Sequence, residues 1–405
     1  MTTSLLHGRS KVRLAALLLV LSFVPTILKG QDELRPVSRT YALKNVNVVQ
    51  GPGRKLDMAT LIVKDGLIHS VGKGIPIPSD AIVIKADSMY VYAGFIDGLS
   101  RVGVMKPKEE NKERPKDPGN PSPERAGITP QNDVRMMLNP TEKSIEELRA
   151  VGFTLAQVVP YGNPLPGQGS LIFLGGKSAD QMILQNRSAF YAELTPAQNV
   201  YPATVMGVMA KFRDLYRQAS LNKNYESLYA ANRNGLERPG SDRILESFYP
   251  VIDQRQPVLF KSEKVLDAQR IFTLKNELNF SLILADVKEG WLITDRVKAS
   301  GAKVFLALDL PEEVKKDDKK KDDKATSSAE KERLDKRKAE TIASYTAQAA
   351  TFSKAGIAFG FSTMSAKTGN IATNLRRMIA AGLSEDAALA ALTTAPAQLL
   401  GLGDR

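Results

Sequence analysis

The chain has 405 residues, 43% of them hydrophobic, so it can bury a large core and is not a disordered polymer. It has no cysteine, which excludes disulfides, thiolate zinc sites, a cysteine nucleophile and a lipid-anchoring cysteine. Its net charge of +12 raises nucleic acid as a partner, but the lysines are spread along the chain, which fits a basic surface facing an anionic envelope, or plain solubility.

The first element is a leader. Arg9, Lys11 and Arg13 precede an apolar run over 14–28, and Gly30 offers a small residue before Gln31. This pattern reads as a secretory signal over 1–30, with an uncleaved anchor as the alternative. The run is short for a membrane span and is interrupted by Pro25. A secreted or periplasmic location follows, with no membrane span in the mature chain. Cleavage removes Arg9, Lys11, Arg13 and Lys29 and leaves a net charge of +8. It also removes His7, so the mature chain keeps one histidine, His69.

From 41 to 86 short β-rich runs are split by turns: "YALKNVNVV", "TLIVKD", "LIHSVG" and "AIVIKA". Lys64-Asp65-Gly66 is a hairpin signal. These runs predict part of a small antiparallel sheet or sandwich, with His69 half-buried in a strand. "VYAGFIDGLSRVG" then reads as a buried strand entering a loop through Asp97. The proline- and charge-rich stretch "KPKEENKERPKDPGNPSPERAG" reads as a surface loop.

Beyond it helix and strand alternate. "EKSIEELRAVG" predicts an amphipathic helix and "FTLAQVVP" a buried strand. "GSLIFLGG" and "DQMILQN" predict an added hairpin, and "ATVMGVMAKFRDLYRQAS" a long helix. The strands "PVLF", "FSLILAD", "AKVFLAL" and "IAFGFST" follow, each separated from the next by a helix, and "NIATNLRRMIAAG" and "SEDAALAALTTA" predict two closing helices. This rhythm predicts a largely parallel sheet with ligand groups at the C-terminal strand ends. About six such strands are visible, short of the eight of a full barrel.

Two further segments carry less. The charged stretch over 311–340 mixes acids and bases without an aromatic, so it predicts a solvated insertion leading into a helix, not a nucleic-acid surface. "GNPLPGQG" is a poor phosphate loop, because Gln168 stands where the lysine belongs.

The stretches "LIVKDGLIHSVGKGIPIPSDAIVIKADSMYVYAGFID", "GITPQNDVRMMLNPTEKSIEELRAVGFTLAQVVP" and "NLRRMIAAGLSEDAALAALTTAPAQLLGL" together resemble the amidohydrolase superfamily, and within it the imidazolonepropionase-like group. The resemblance spans most of 40–405 apart from the charged insertions at 105–126 and 311–340. It implies an α/β fold: a distorted TIM-like (β/α)8 barrel over 91–405, with an incomplete small β-sandwich whose N-terminal strands occupy 31–90. It also implies hydrolysis of a non-peptide C–N bond in a cyclic amide or similar small molecule. The family would use zinc or another divalent metal, which acidifies a water while a strand-end Asp takes its proton.

Carried over position by position, that site is degenerate. The two histidines after the first barrel strand fall on Leu99 and Arg101. The mid-barrel histidine strand falls on "VLFKSEK", which places Leu259, Lys261 and Glu263 there. The next histidine falls on Asp286, and the catalytic Asp falls near Thr363 and Met364. No metal cofactor is therefore expected. Asp97, Glu263 and Asp286 offer an oxygen-ligand alternative for Mg²⁺ or Ca²⁺, opposed by Arg101 and Lys261 in the same mouth. In the other reading these charges pair with one another and replace the metal electrostatically.

Three functions follow as expectations. The first is a catalytically inactive scaffold or binding module. Its partner would be a C-terminal amidohydrolase-like half, since the family's returning strands are not in this sequence, or a homologous subunit. The second is an active hydrolase working through an oxygen-ligand metal, or through metal-free acid-base chemistry of Asp286, Glu263 and Lys261. The third is a binder of a small anionic ligand held by Arg101 and Lys261.

Overall fold

The computed structural model describes residues 39–107, 115–312 and 328–403. The leader over 1–30, residues 108–114 of the first charged insertion and residues 313–327 of the second lie outside the described residues. The chain divides into two compact units, Met1–Val48 with Lys55–Val91, and Val49–Arg54 with Tyr92–Arg405.

The smaller unit is built on a five-stranded sheet. Its strands are β1 (Thr40–Gly51), β2 (Arg54–Lys64), β3 (Leu67–Gly72), β4 (Ile82–Lys85) and β5 (Tyr90–Tyr92). They lie in the order β3-β2-β1-β4, and β5 also pairs with β1. Strands β2 and β3 form the expected hairpin. Asp65 (φ 52°) and Gly66 (φ 79°) both turn left-handed, the twist a two-residue hairpin needs. Alternation along the strands buries Val46, Val48, Ala59 and Leu61 with Ala86 as the core. Two expectations are corrected. The sheet is mixed, because β4 runs parallel to β1, with Tyr41 opposite Ile82. His69 is exposed, because the first half of β3 faces solvent.

The larger unit is a closed eight-stranded barrel. Its staves are β6 (Phe95–Ser100), β7 (Phe153–Val158), β8 (Gly167–Phe173), β9 (Ile183–Glu193), β10 (Val258–Lys261), β11 (Leu282–Val287), β12 (Lys303–Ala307) and β13 (Phe359–Ser362). They follow one another around the ring in chain order, and β13 closes on β6 through Phe361 and Asp97. Strand β8 pairs antiparallel with both neighbours, and the other pairings are parallel. The fold is thus a distorted TIM-like α/β barrel with a small sheet domain. The expected hairpin is not an addition to the sheet. It supplies two staves, which makes up the apparent shortfall of strands.

Helices cover the outside of the wall. Lys143–Ala150 leads into β7, Val205–Ala231 comes between β9 and β10, and Val265–Leu278 leads into β11. Thr294–Ser300 leads into β12 and Ser328–Lys354 into β13, so the second charged insertion does run into a helix. Ile371–Ala380, Glu385–Leu392 and Thr394–Leu399 follow β13. Phe190 on β9, Phe212 on the long helix and Phe248 form a ring cluster between wall and helices, with Phe190 and Phe248 centroids 4.6 Å apart. Burying such rings is worth about 2–3 kcal/mol each.

The lumen has its own core. Leu99, Val159, Ala189, Tyr191, Leu259, Ile283, Ala285 and Phe305 pack together inside the ring, and Met364 packs against them. Phe305 lies against two bare backbones. A Cβ on Gly98 of β6 would sit 1.8 Å from its ring, and one on Gly360 of β13 would sit 2.6 Å away. Those two glycines let the ring fill the centre of the barrel.

Candidate functional site: the strand-end mouth

The C-terminal ends of the barrel strands bring together every position carried over in the sequence analysis. Asp97 on β6 is wholly buried. Its Oδ1 accepts from the amides of Leu99 (3.2 Å) and Thr363 (3.0 Å), and its Oδ2 accepts from the Thr363 hydroxyl. Burial raises the Asp97 pKa from 3.8 to about 7 against those hydrogen bonds, and the nearby Asp286 adds to the rise. Leu99 and Met364 belong to the lumen core beside Leu259.

Asp286 on β11 is also wholly buried and holds a left-handed backbone, φ 59°. Its Oδ2 accepts from the Ser365 hydroxyl. Burial raises its pKa, while Ser365, Lys261 and Lys288 act the other way. Ser362 Oγ lies 3.0 Å from the Leu99 carbonyl and 3.2 Å from Asp286 Oδ1, and it accepts from the Met364 amide. The one hydroxyl proton of Ser362 is shared between those two acceptors.

The cations of the mouth are held by the chain's own acids. Arg101 donates through Nη2 to Glu193 Oε1 at 2.9 Å, and its guanidinium lies 4.8 Å from the centre of the Tyr161 ring. Glu193 also accepts from Tyr191 (2.6 Å) and Thr195 (3.0 Å). Burial, the Glu193 charge and the hydrogen bond to Glu193 push the Tyr191 pKa well above its ordinary value. Lys261 pairs with Glu263 at 2.7 Å. Lys288 bridges Glu263 (3.5 Å) and Asp309 (3.0 Å). Burial alone would raise the Glu263 pKa, but Lys261 and Lys288 together hold it low.

Several of these residues were not picked out in the sequence. Glu193 went unseen because β9 reads in sequence as ending near Asn186, where the strand bends at Arg187, φ 50°. Lys288 and Asp309 stand just past β11 and β12, so a rule of scanning strand ends plus two residues finds them. Ser362, Thr363 and Ser365 carry no sequence signal beyond their place at the end of β13.

No family model matches this chain, and no curated protein matches it. Solved structures do. An amidohydrolase from Thermotoga maritima MSB8 is similar over 90% of this chain and 90% of its own, with a TM-score of 0.71 and 20% identity. A Xaa-Pro dipeptidase with bound methionine covers 90% of each chain at 12% identity and a TM-score of 0.44. A dihydroorotase covers 90% of this chain and 83% of its own at 14% identity and a TM-score of 0.39. At such identities the likeness is one of fold.

The resemblance noted in the sequence implies a divalent metal, and the described residues of the mouth do not fit one. Among the described residues no three of His, Cys, Asp and Glu are grouped to hold a metal ion. Leu99 and Leu259, onto which the resemblance carries ligands, put hydrocarbon into the lumen core. The carboxylate oxygens of Asp97 and Asp286 are taken by the chain's own donors. Arg101, Lys261 and Lys288 add positive charge to the same mouth.

Proposed function

We propose that this barrel is a non-catalytic member of the amidohydrolase class of folds, acting as a scaffold or binding module. One observation carries the reading. At the strand ends Leu99, Leu259 and Met364, which can neither hold a metal nor move a proton, occupy positions onto which the family resemblance carries metal ligands and the catalytic Asp. The ion pairs around them substitute internally for the charge a metal would bring.

A second reading, metal-free hydrolysis of a C–N bond, draws on the raised pKa values of Asp97 and Asp286, since such groups cluster at functional sites. Both side chains are wholly buried, which weighs against their reaching a substrate. The third, an anion held by Arg101 and Lys261, is weakened by Glu193 and Glu263, which already neutralise those cations.

The test is hydrolysis of N-acyl amino acids, dipeptides and cyclic amides, with and without added zinc. The expected result is no turnover above buffer. Turnover that disappears in Asp286→Asn would overturn the scaffold reading in favour of catalysis.

We also propose secretion or residence in the periplasm, supported by the leader over 1–30. N-terminal sequencing of the exported protein checks it, with Gln31 expected as the first residue. For a partner we propose a second amidohydrolase-like half or a homologous subunit. The support is β4 at the end of the sheet order, with Ile82, Val83 and Ile84 each more than 40% exposed. Light scattering of the mature chain, alone and with candidate partners, tests it, and a strictly monomeric chain that binds neither would refute it.

A further inference from the structure

A second polar site lies away from the mouth, beside β8 and β9 on the N-terminal side of β10. It is a cavity of about 290 Å³ lined by Gln131, Arg187, Arg243, Glu246, Arg255 and Gln256, among others. That volume is at the small end for a ligand pocket. Three guanidiniums and one carboxylate line it. Arg187 reaches Asp133 through Nε at 3.3 Å, Arg255 reaches Asp253 at 2.8 Å, and Arg243 has no ion-pair partner among the described residues. Each guanidinium therefore keeps donors to spend on an oxyanion.

The pocket also holds unmet acceptors. Gln256 is 4% exposed, and its Nε2 donates to Gln168 Oε1 (3.0 Å) and to the Arg187 carbonyl (2.7 Å). Two acceptors on one nitrogen fix the orientation of the amide, because a flipped amide would set oxygen against oxygen. Gln256 Oε1 is left buried without a hydrogen-bond partner among the described residues, and Gln131 Oε1 is in the same state. A buried acceptor without a donor is costly, and a bound group carrying an O–H or N–H removes that cost.

We propose that this pocket binds a small hydroxylated or aminated carboxylate. Arg243 and Arg255 take the acid, and the amide oxygens of Gln131 and Gln256 take the donor. The inference does not depend on what the mouth does.

Calorimetric titration with malate and with succinate tests it, because the two diacids differ by one hydroxyl. Malate is expected to bind roughly tenfold more tightly, the gain from meeting one buried acceptor. The Arg243→Gln/Arg255→Gln variant, altered at two exposed positions, should lose at least about tenfold in malate affinity. Lys261→Gln, altered in the mouth, should bind malate as the parent does. Failure of both acids to bind, equal binding of the two, or loss of binding in Lys261→Gln would each overturn the proposal.

Discussion

Replacing Asp97 with Asn should stabilise this protein more and more as the pH rises. The carboxyl is wholly buried, and burial is the leading cause that moves its pKa from 3.8 to about 7. In the unfolded chain it ionises at its ordinary value, so between 3.8 and about 7 the folded chain holds a proton that the unfolded chain has lost. Stability is therefore fully present in acid, falls as pH rises through that window and is level above it. At about 1.4 kcal/mol per pH unit the whole window is worth about 4 kcal/mol. Asparagine keeps the geometry: its Oδ1 accepts from the amides of Leu99 and Thr363, and its Nδ2 donates to the Thr363 hydroxyl. Urea unfolding of parent and Asp97→Asn gives the difference at each pH. That difference should widen in the variant's favour by about 3 kcal/mol between about pH 5 and about pH 8. A difference that stays constant, or a variant that loses ground toward pH 8, would show that Asp97 is an ordinary ionised carboxylate and refute the reasoning.

Three further outcomes are expected. Gly98→Ala drives a Cβ to 1.8 Å from the Phe305 ring and should cost more than about 4 kcal/mol, seen as loss of soluble, folded protein by circular dichroism. Adding Phe305→Ala should recover part of that fold, and a Gly98→Ala protein as stable as the parent would contradict the packed lumen. Arg101→Met strands Glu193, whose side chain is 9% exposed, and should cost about 3 kcal/mol in urea unfolding. Combining it with Glu193→Gln should restore more than half. Gly66→Ala, at φ 79°, should lower stability by about 1 kcal/mol, measured the same way.

The barrel was legible where pattern and length agree. The runs at "FSLILAD" and "AKVFLAL" are short apolar stretches set between helical patterns, and β11 and β12 stand there. The hairpin of β8 and β9 was visible as two strands, but its role as barrel wall was not. Closure depends on pairing between strands distant in sequence, and nothing local encodes it. Strand β9 was cut short because the register shifts against β8 near Gly169 and Leu171, which breaks the period of two. His69 was misplaced for a related reason: a strand pattern says that faces alternate, not which part of a strand overhangs its sheet. Leu99, Arg101, Lys261, Glu263, Asp286 and Met364 could be placed at one end of the barrel from sequence because each sits at or within two residues of a strand end. The partners of those charges could not be, since Glu193 lies 92 residues from Arg101.

The central claim is that the mouth has no metal chemistry. Elemental analysis of the mature chain, purified after expression with zinc, manganese and magnesium supplied, tests it most directly. The account predicts less than about 0.1 metal per chain, since among the described residues no three of His, Cys, Asp and Glu are grouped to hold one. One or two equivalents, lost in Asp97→Asn or Asp286→Asn, would contradict it and make an oxygen-ligand metal hydrolase the working description.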